Sequence, residues 1–160
     1  MIAAGPGETL PEFPPMTHSH TGGGQSNLKP FFTPGDALSE VPPIAPNHDL
    51  VKARDDARGK QHLAWDASKL LACMTTKGGE RSWHPWEHRY LTLRERARFQ
   101  LFPDDHVFCG GAMSIKRQIG NAVPPGVFKI LFLHVVERLE EADDVEKAEI
   151  AARVIDLTAD

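Results

Sequence analysis

Residues 89–125 read RYLTLRERARFQLFPDDHVFCGGAMSIKRQIGNAVPP, and this stretch decides the fold. Thr92 with Glu95 three positions on fits a capping box, in which the hydroxyl accepts a backbone N–H and the carboxylate reaches back to the cap. Leu93, Ala97 and Leu101 follow at i, i+4 and i+8, so the spacing predicts a helix over Leu91–Phe102 with Arg94 and Arg98 beside its apolar face. Pro103 ends it, because proline lacks the N–H that continuation needs. Asp104–Ala112 reads as a loop with a Gly110-Gly111 hinge. Gly120-Asn121 reads as a turn pair that tolerates positive φ. Pro124-Pro125 sits where the first helical turn needs no donors, and a second helix is expected from about Gly126 to Ala142. Neither signal carries a nucleophile, a general base or a metal cluster. Both read as the scaffolding of a site whose chemistry lies elsewhere.

Charge follows the same division. The 160 residues sum to −4, but Met1–Val136 holds 15 Lys+Arg against 13 Asp+Glu, and Glu137–Asp160 holds 3 against 9. The acidity therefore belongs to the tail, while Lys77–Arg117 is mildly basic, with 8 against 5. That balance is compatible with contact to a phosphate backbone and does not demand it. Two cysteines, Cys73 and Cys109, without a CxxC spacing suit a reduced intracellular protein. The longest apolar run, Val127–Val136, is too short for a membrane span, so no membrane partner is expected. MIAAGPGE lacks the basic and apolar regions of a signal peptide. VFKILFLHVV is apolar almost all round, and a helix of that kind needs cover on most sides. Each large side chain left bare forgoes roughly 1.5–3 kcal/mol. Its natural partner is inferred to be a larger body outside these residues.

Upstream, Met1–Pro46 is rich in Pro and Gly, which forbids long helices and central strands. A short helix is expected at Pro34–Glu40, with Thr33 as N-cap and Pro34 at its first position. Asn47–Gly59 reads as a polar loop or linker. Gln61–Cys73 suits either a short helix or irregular packing. Ala72–Thr76 has strand composition, and Lys77–Glu80 ends it as a turn. Asp143–Asp160 reads as a frayed helix or an acidic tail.

RYLTLRERARFQLFPDD resembles the ninth conserved motif of cytosine-C5 DNA methyltransferases, and RQIGNAVPP resembles the tenth. AAGPGETLPEFPPMTH, LKPFFTPGDAL and TTKGG…HP are similar to the stretch before the ninth motif, especially in fungal members. The resemblance spans about Ile2–Leu139. Arg96 departs from it, standing where the family often has a small residue. The resemblance implies an α/β fold: the C-terminal fragment of a Rossmann-like S-adenosylmethionine-dependent methyltransferase, with a small, mostly irregular target-recognition region and a long C-terminal helix. The implied organisation is 1–88 for part of the recognition region, 89–142 for the segment completing the catalytic domain, and 143–160 for an acidic tail. In the family a flipped cytosine is attacked at C6 by a cysteine thiolate, takes a methyl group at C5, and regains its ring by elimination. The Pro-Cys nucleophile and the Gly-rich cofactor loop are not in this sequence, so the chain is expected to be inactive alone. Its implied partners are DNA and the missing N-terminal half, in cis or in trans. If the source is eukaryotic, a nuclear location is implied.

The resemblance also assigns roles. Asn121 and Ala122 line the pocket for S-adenosylmethionine, and Gly120, Pro124 and Pro125 shape the turn. Thr92, Arg94 and Glu95 lock a brace for the recognition region. Arg94, Lys77, Arg81 and Arg117 are the candidate DNA contacts. Plainer readings stand beside these. Asn121 can be a turn residue, Arg94 and Glu95 cap and surface residues, and Lys77 and Arg81 solvated loop charges. His84 and His88 have H-x3-H spacing with Cys73 upstream, but a fourth ligand is not evident and no metal is assigned. Cys109 lacks a neighbouring base and reads as a loop thiol. Trp65, Trp83 and Trp86 could stack on bases, although core packing is the preferred reading. The rival function is a non-catalytic DNA-binding or interaction module derived from a methyltransferase fragment.

Overall fold

The computed structural model describes residues 12–19, 28–71 and 82–157, with side chains as far as Ile150. Chain order is β1 (His18–Ser19), β2 (Lys29–Pro30), α1 (Pro34–Leu38), α2 (Leu50–Ala57), α3 (Leu93–Phe99), α4 (Ala112–Asn121) and α5 (Pro125–Leu157). The two strands are parallel, with His18 opposite Lys29. The described residues thus mix helix and irregular chain with few strands. Two compact units are present: Met16–Gly126, and the residues from Val127 onward with the segment ending at Pro15. The expected strand at Ala72–Thr76 and the turn after it lie outside the described residues.

Local chemistry places the short helices. Thr33 caps α1 by accepting from the Asp36 N–H, while the Asp36 carboxylate accepts from the Thr33 N–H at 2.8 Å. The helix ends at Leu38, two residues before the expected limit, and Glu40 turns at φ 51°. The polar run Asn47–Gly59, expected as a loop, instead holds α2. Asp49 caps it by accepting from the Lys52 N–H at 2.8 Å, and Lys52 pairs with Asp56 one turn on. Its buried face is only Ala53 and Ala57, too small to register as an apolar stripe. Gln61–Leu71 packs irregularly, one of its two expected forms.

The main core lies between α3 and α4. Ala97, Phe108, Ile115 and Ile119 are buried together, with Leu93 and Phe102 against them. The capping box at Thr92 and Glu95 forms as expected. The end of α3 differs from expectation. It stops at Phe99, and Leu101 adopts φ 59°, so its side chain leaves the helical face. The Phe102 N–H then bonds to the Ala97 carbonyl at 3.1 Å and the Leu101 N–H to that of Arg98 at 2.9 Å. This pattern closes a helix through a left-handed residue. It turns Phe102 towards Phe108, ring centres 5.0 Å apart. Pro103 therefore follows a helix that has already ended.

A further correction concerns 104–121. The loop ends at Gly111, and α4 runs through Ser114 and Arg117 to Asn121. Gly120 and Asn121 form its last turn rather than a positive-φ pair; the positive-φ glycines among the described residues are Gly59 and Gly110. Ile115 and Ile119, one turn apart, bury against α3 and so select the helix. Pro125 opens α5 as expected, and α5 continues beyond Ala142 to Leu157. Val127, Phe128, Ile130, Phe132, Leu133 and Leu139 on it are all exposed. By length and composition alone, Ala112–Ile150 would pass for a membrane span, against the sequence reading. The non-helical residues 122–124 divide it.

Candidate functional site

The start of α3 is a buried ionic knot. Arg89 donates from Nη1 and Nη2 to the two carboxylate oxygens of Glu95, each at 2.8 Å. It also donates from Nε to Glu87 at 3.0 Å. Glu95 Oε2 further accepts from the Thr92 N–H at 2.7 Å, and Glu95 is 2% exposed. Burial alone would raise the Glu95 pKa, but the Arg89 hydrogen bonds and the Thr92 N–H outweigh it and hold the carboxyl below its usual range. Burial likewise opposes the charge on Arg89, and Glu95 and Glu87 overcome it, so its pKa is raised. Sequence reading missed Arg89. Its signal was a lone arginine before the cap, with no periodicity to mark it as buried.

Two histidines border the knot. His84 Nδ1 accepts from the Trp86 N–H at 3.4 Å and the Glu87 N–H at 3.1 Å, which requires an unprotonated Nδ1. Burial, then the charge of Arg89, pushes its pKa below the ordinary value. His48 Nδ1 lies 2.9 Å from the Thr92 hydroxyl, and burial lowers its pKa too. His88 Nε2 is 3.0 Å from the Lys60 carbonyl oxygen. Among the described residues no set of three potential ligands gathers to hold a metal.

Arg94 is fully buried and donates to three carbonyls: Pro46 at 2.9 Å, Pro103 at 2.7 Å, and His106. The placement corrects its assignment to DNA, because the guanidinium is spent on backbone oxygens and none of it faces solvent. Arg94 instead ties the loop before α2 to the loop after α3. Arg98 does the same for α1, donating to the Ala37 carbonyl at 2.8 Å and pairing with Asp104 at 3.0 Å.

At the far end of α4, Asn121 is exposed and Ala122 is half-buried. The Ala122 N–H closes the helix on the Ile119 carbonyl at 3.4 Å. The Asn121 amide, with its donors and acceptor, is thus open to a polar ligand. Arg117, one turn earlier, is exposed, whereas Lys77 and Arg81 lie outside the described residues. Between α2, α3 and the start of α4 lies an open cleft of about 860 Å³, lined by Lys52, Lys60, Trp83, Tyr90, Arg96 and Lys116 among others. Trp83 is buried and Trp65 donates to the Trp83 carbonyl at 2.9 Å, as packing residues should. Trp86 is not a core residue, being 64% exposed.

The profile of C-5 cytosine-specific DNA methylases matches residues 31–137, which contain the knot, the cleft and the Asn121 turn. The chain belongs to this family. Among the methylase relatives, the type II methyltransferase M.NgoFVII of Neisseria gonorrhoeae is 34% identical over 141 residues, covering 70% of this chain and 37% of the relative. M.Eco47II of Escherichia coli is 34% identical over 122 residues, 73% of this chain and 29% of the relative. DNA (cytosine-5)-methyltransferase 1 of Mus musculus is 46% identical over 52 residues, 32% of this chain and 3% of the relative. The methylase chain thus spans only about a third, or less, of the length of these relatives.

Proposed function

We propose that the chain is the C-terminal segment of a DNA cytosine-5 methyltransferase, supplying a brace and a cofactor-facing turn to a Rossmann-like catalytic domain. The observation that carries this reading is the pairing of a buried Arg89–Glu95–Thr92 lock with an exposed Asn121 at the end of α4, both inside the family match. Asn121 and Ala122 contact S-adenosylmethionine, which supplies the methyl group when bound. The fit rests on an amide that is open to solvent, carrying both donors and an acceptor. Gly120, Pro124 and Pro125 set the path of that turn. Thr92, Glu95 and Arg89 fix the start of α3, and Arg94 fixes its surroundings, so that the recognition region is held against the catalytic domain. Arg117, Lys77 and Arg81 contact the DNA backbone.

The 160 residues contain no Pro-Cys pair, since Cys73 follows Ala72 and Cys109 follows Phe108. The thiol comes from an N-terminal half, in cis or in trans, and the apolar side chains of α5 pack against that half. In a eukaryotic source the enzyme works in the nucleus. Incubation of the purified chain with DNA and labelled S-adenosylmethionine tests this reading. No label should enter DNA; methyl transfer in proportion to this protein would refute it.

A further inference from the structure

Trp86 is the largest side chain in the ionic knot's vicinity that the knot does not bury. The turn around it is tied down at His84 and Glu87. The His84 N–H bonds to the Arg89 carbonyl at 2.9 Å, and the His84 carbonyl accepts from His62 Nε2 at 2.8 Å. The His84 ring accepts from the Trp86 and Glu87 amides and meets the indole edge-on, centres 5.5 Å apart. Glu87 is clamped by Arg89 at 3.0 Å and approached by Arg54 at 3.8 Å. One rim atom of the indole, Cη2, lies near Gly35, where a methyl group would meet it at 3.8 Å. His84 and Gly35 cover part of the ring, and the residue is otherwise open to water. The backbone that carries the ring is held by these bonds, and the His84 ring packs against one side of it.

A rigidly presented indole in a protein that acts on DNA has a natural counterpart. Every nucleobase has a π-face, and base–aromatic stacking needs no particular sequence. A turn fixed in advance loses little freedom on binding. We propose that Trp86 is a DNA-stacking residue that takes an unpaired or unstacked base against its exposed face. The inference rests on the reading of the chain as part of a DNA methyltransferase. It assigns to Trp86 a contact distinct from the phosphate contacts of Arg117, Lys77 and Arg81.

The test compares the wild-type chain with Trp86→Ala and Trp86→Phe, using fluorescence anisotropy on three labelled probes: a single-stranded oligonucleotide, a duplex with one central mismatch, and the fully paired duplex. Trp86→Ala should weaken binding to the first two by about tenfold or more. Trp86→Phe should recover most of that loss, and quenching of tryptophan emission by the single strand should shrink in both variants. The paired duplex should be affected least. Melting temperature should hardly change, because the side chain is exposed. Unchanged affinity of Trp86→Ala for all three probes overturns the proposal while leaving the DNA reading intact. So does a loss confined to self-association, seen by sedimentation, which would make the indole an interface between copies. Absence of DNA binding by the wild-type chain overturns the stacking proposal, while the methyltransferase reading is decided separately by the mixture with an N-terminal half.

Discussion

Glu95→Gln tests the brace most sharply. The substitution keeps the shape of the side chain and an oxygen for the Thr92 N–H, now 2.7 Å from the carboxylate. It removes the charge that faces Arg89 at two 2.8 Å contacts. Both side chains of that pair are almost fully enclosed, at 4% and 2% exposure. Breaking a buried pair from one side costs about 3–5 kcal/mol, because the remaining ion stays desolvated. Arg89 keeps Glu87, a half-exposed carboxylate at 3.0 Å, so the expected cost lies at the lower end, about 3 kcal/mol. For a chain of this size that lowers Tm by about 10 °C. Urea unfolding followed by circular dichroism measures it, with Arg89→Met and the double variant completing a cycle. The double variant should lose much less than the sum of the two singles, since removing both charges leaves no uncompensated ion. A Glu95→Gln cost under about 0.5 kcal/mol, the scale of an ordinary surface substitution, or strict additivity in the cycle, would refute the reasoning.

Other consequences follow from the same geometry. Arg94→Lys should lose about 2–4 kcal/mol in urea unfolding, because an ammonium cannot serve three separated carbonyls, and it should leave the salt dependence of DNA binding unchanged. His84 and His48 have pKa values below the ordinary 6.5, so the unfolded chain takes up more protons than the folded one as pH falls through that value. Stability should be full above about pH 6.5 and decline below it; a urea midpoint series from pH 7.5 to 5 should show this, with a flatter slope in His84→Asn. Gly110→Ala should cost about 1–2 kcal/mol by thermal melting, as Gly110 sits at φ 93° and a methyl there would lie 3.2 Å from the Ser114 hydroxyl oxygen. Asn121→Ala should weaken S-adenosylmethionine binding in the assembled enzyme without changing the Tm of the isolated chain.

Elements with a local chemical signal were legible in the sequence. The Thr92–Glu95 box and the Thr33 cap each form as their spacing demands. Where burial comes from distant partners, the reading failed. Helix α2 hides two alanines in a polar run, and α4 owes its existence to Ile115 and Ile119 meeting α3. Leu101 looked like a helical face residue, but the left-handed closure that directs Phe102 inward displaces it. Arg94 looked available to DNA because sequence shows a charge and not the three carbonyls around it. Arg89 was invisible for the same reason. Trp86 was expected inside, and its exposure shows that it is not a core residue.

The exposed apolar side chains of α5 and the lack of a Pro-Cys pair in these 160 residues bear on one question: whether this polypeptide reaches catalysis only in company. Mixing it with a methyltransferase N-terminal half that carries the Pro-Cys pair and the Gly-rich loop, then counting labelled methyl groups in DNA, addresses that directly. Transfer should appear only in the mixture and disappear when the cysteine of the added half is replaced. Label in DNA from this chain without its counterpart would contradict the account.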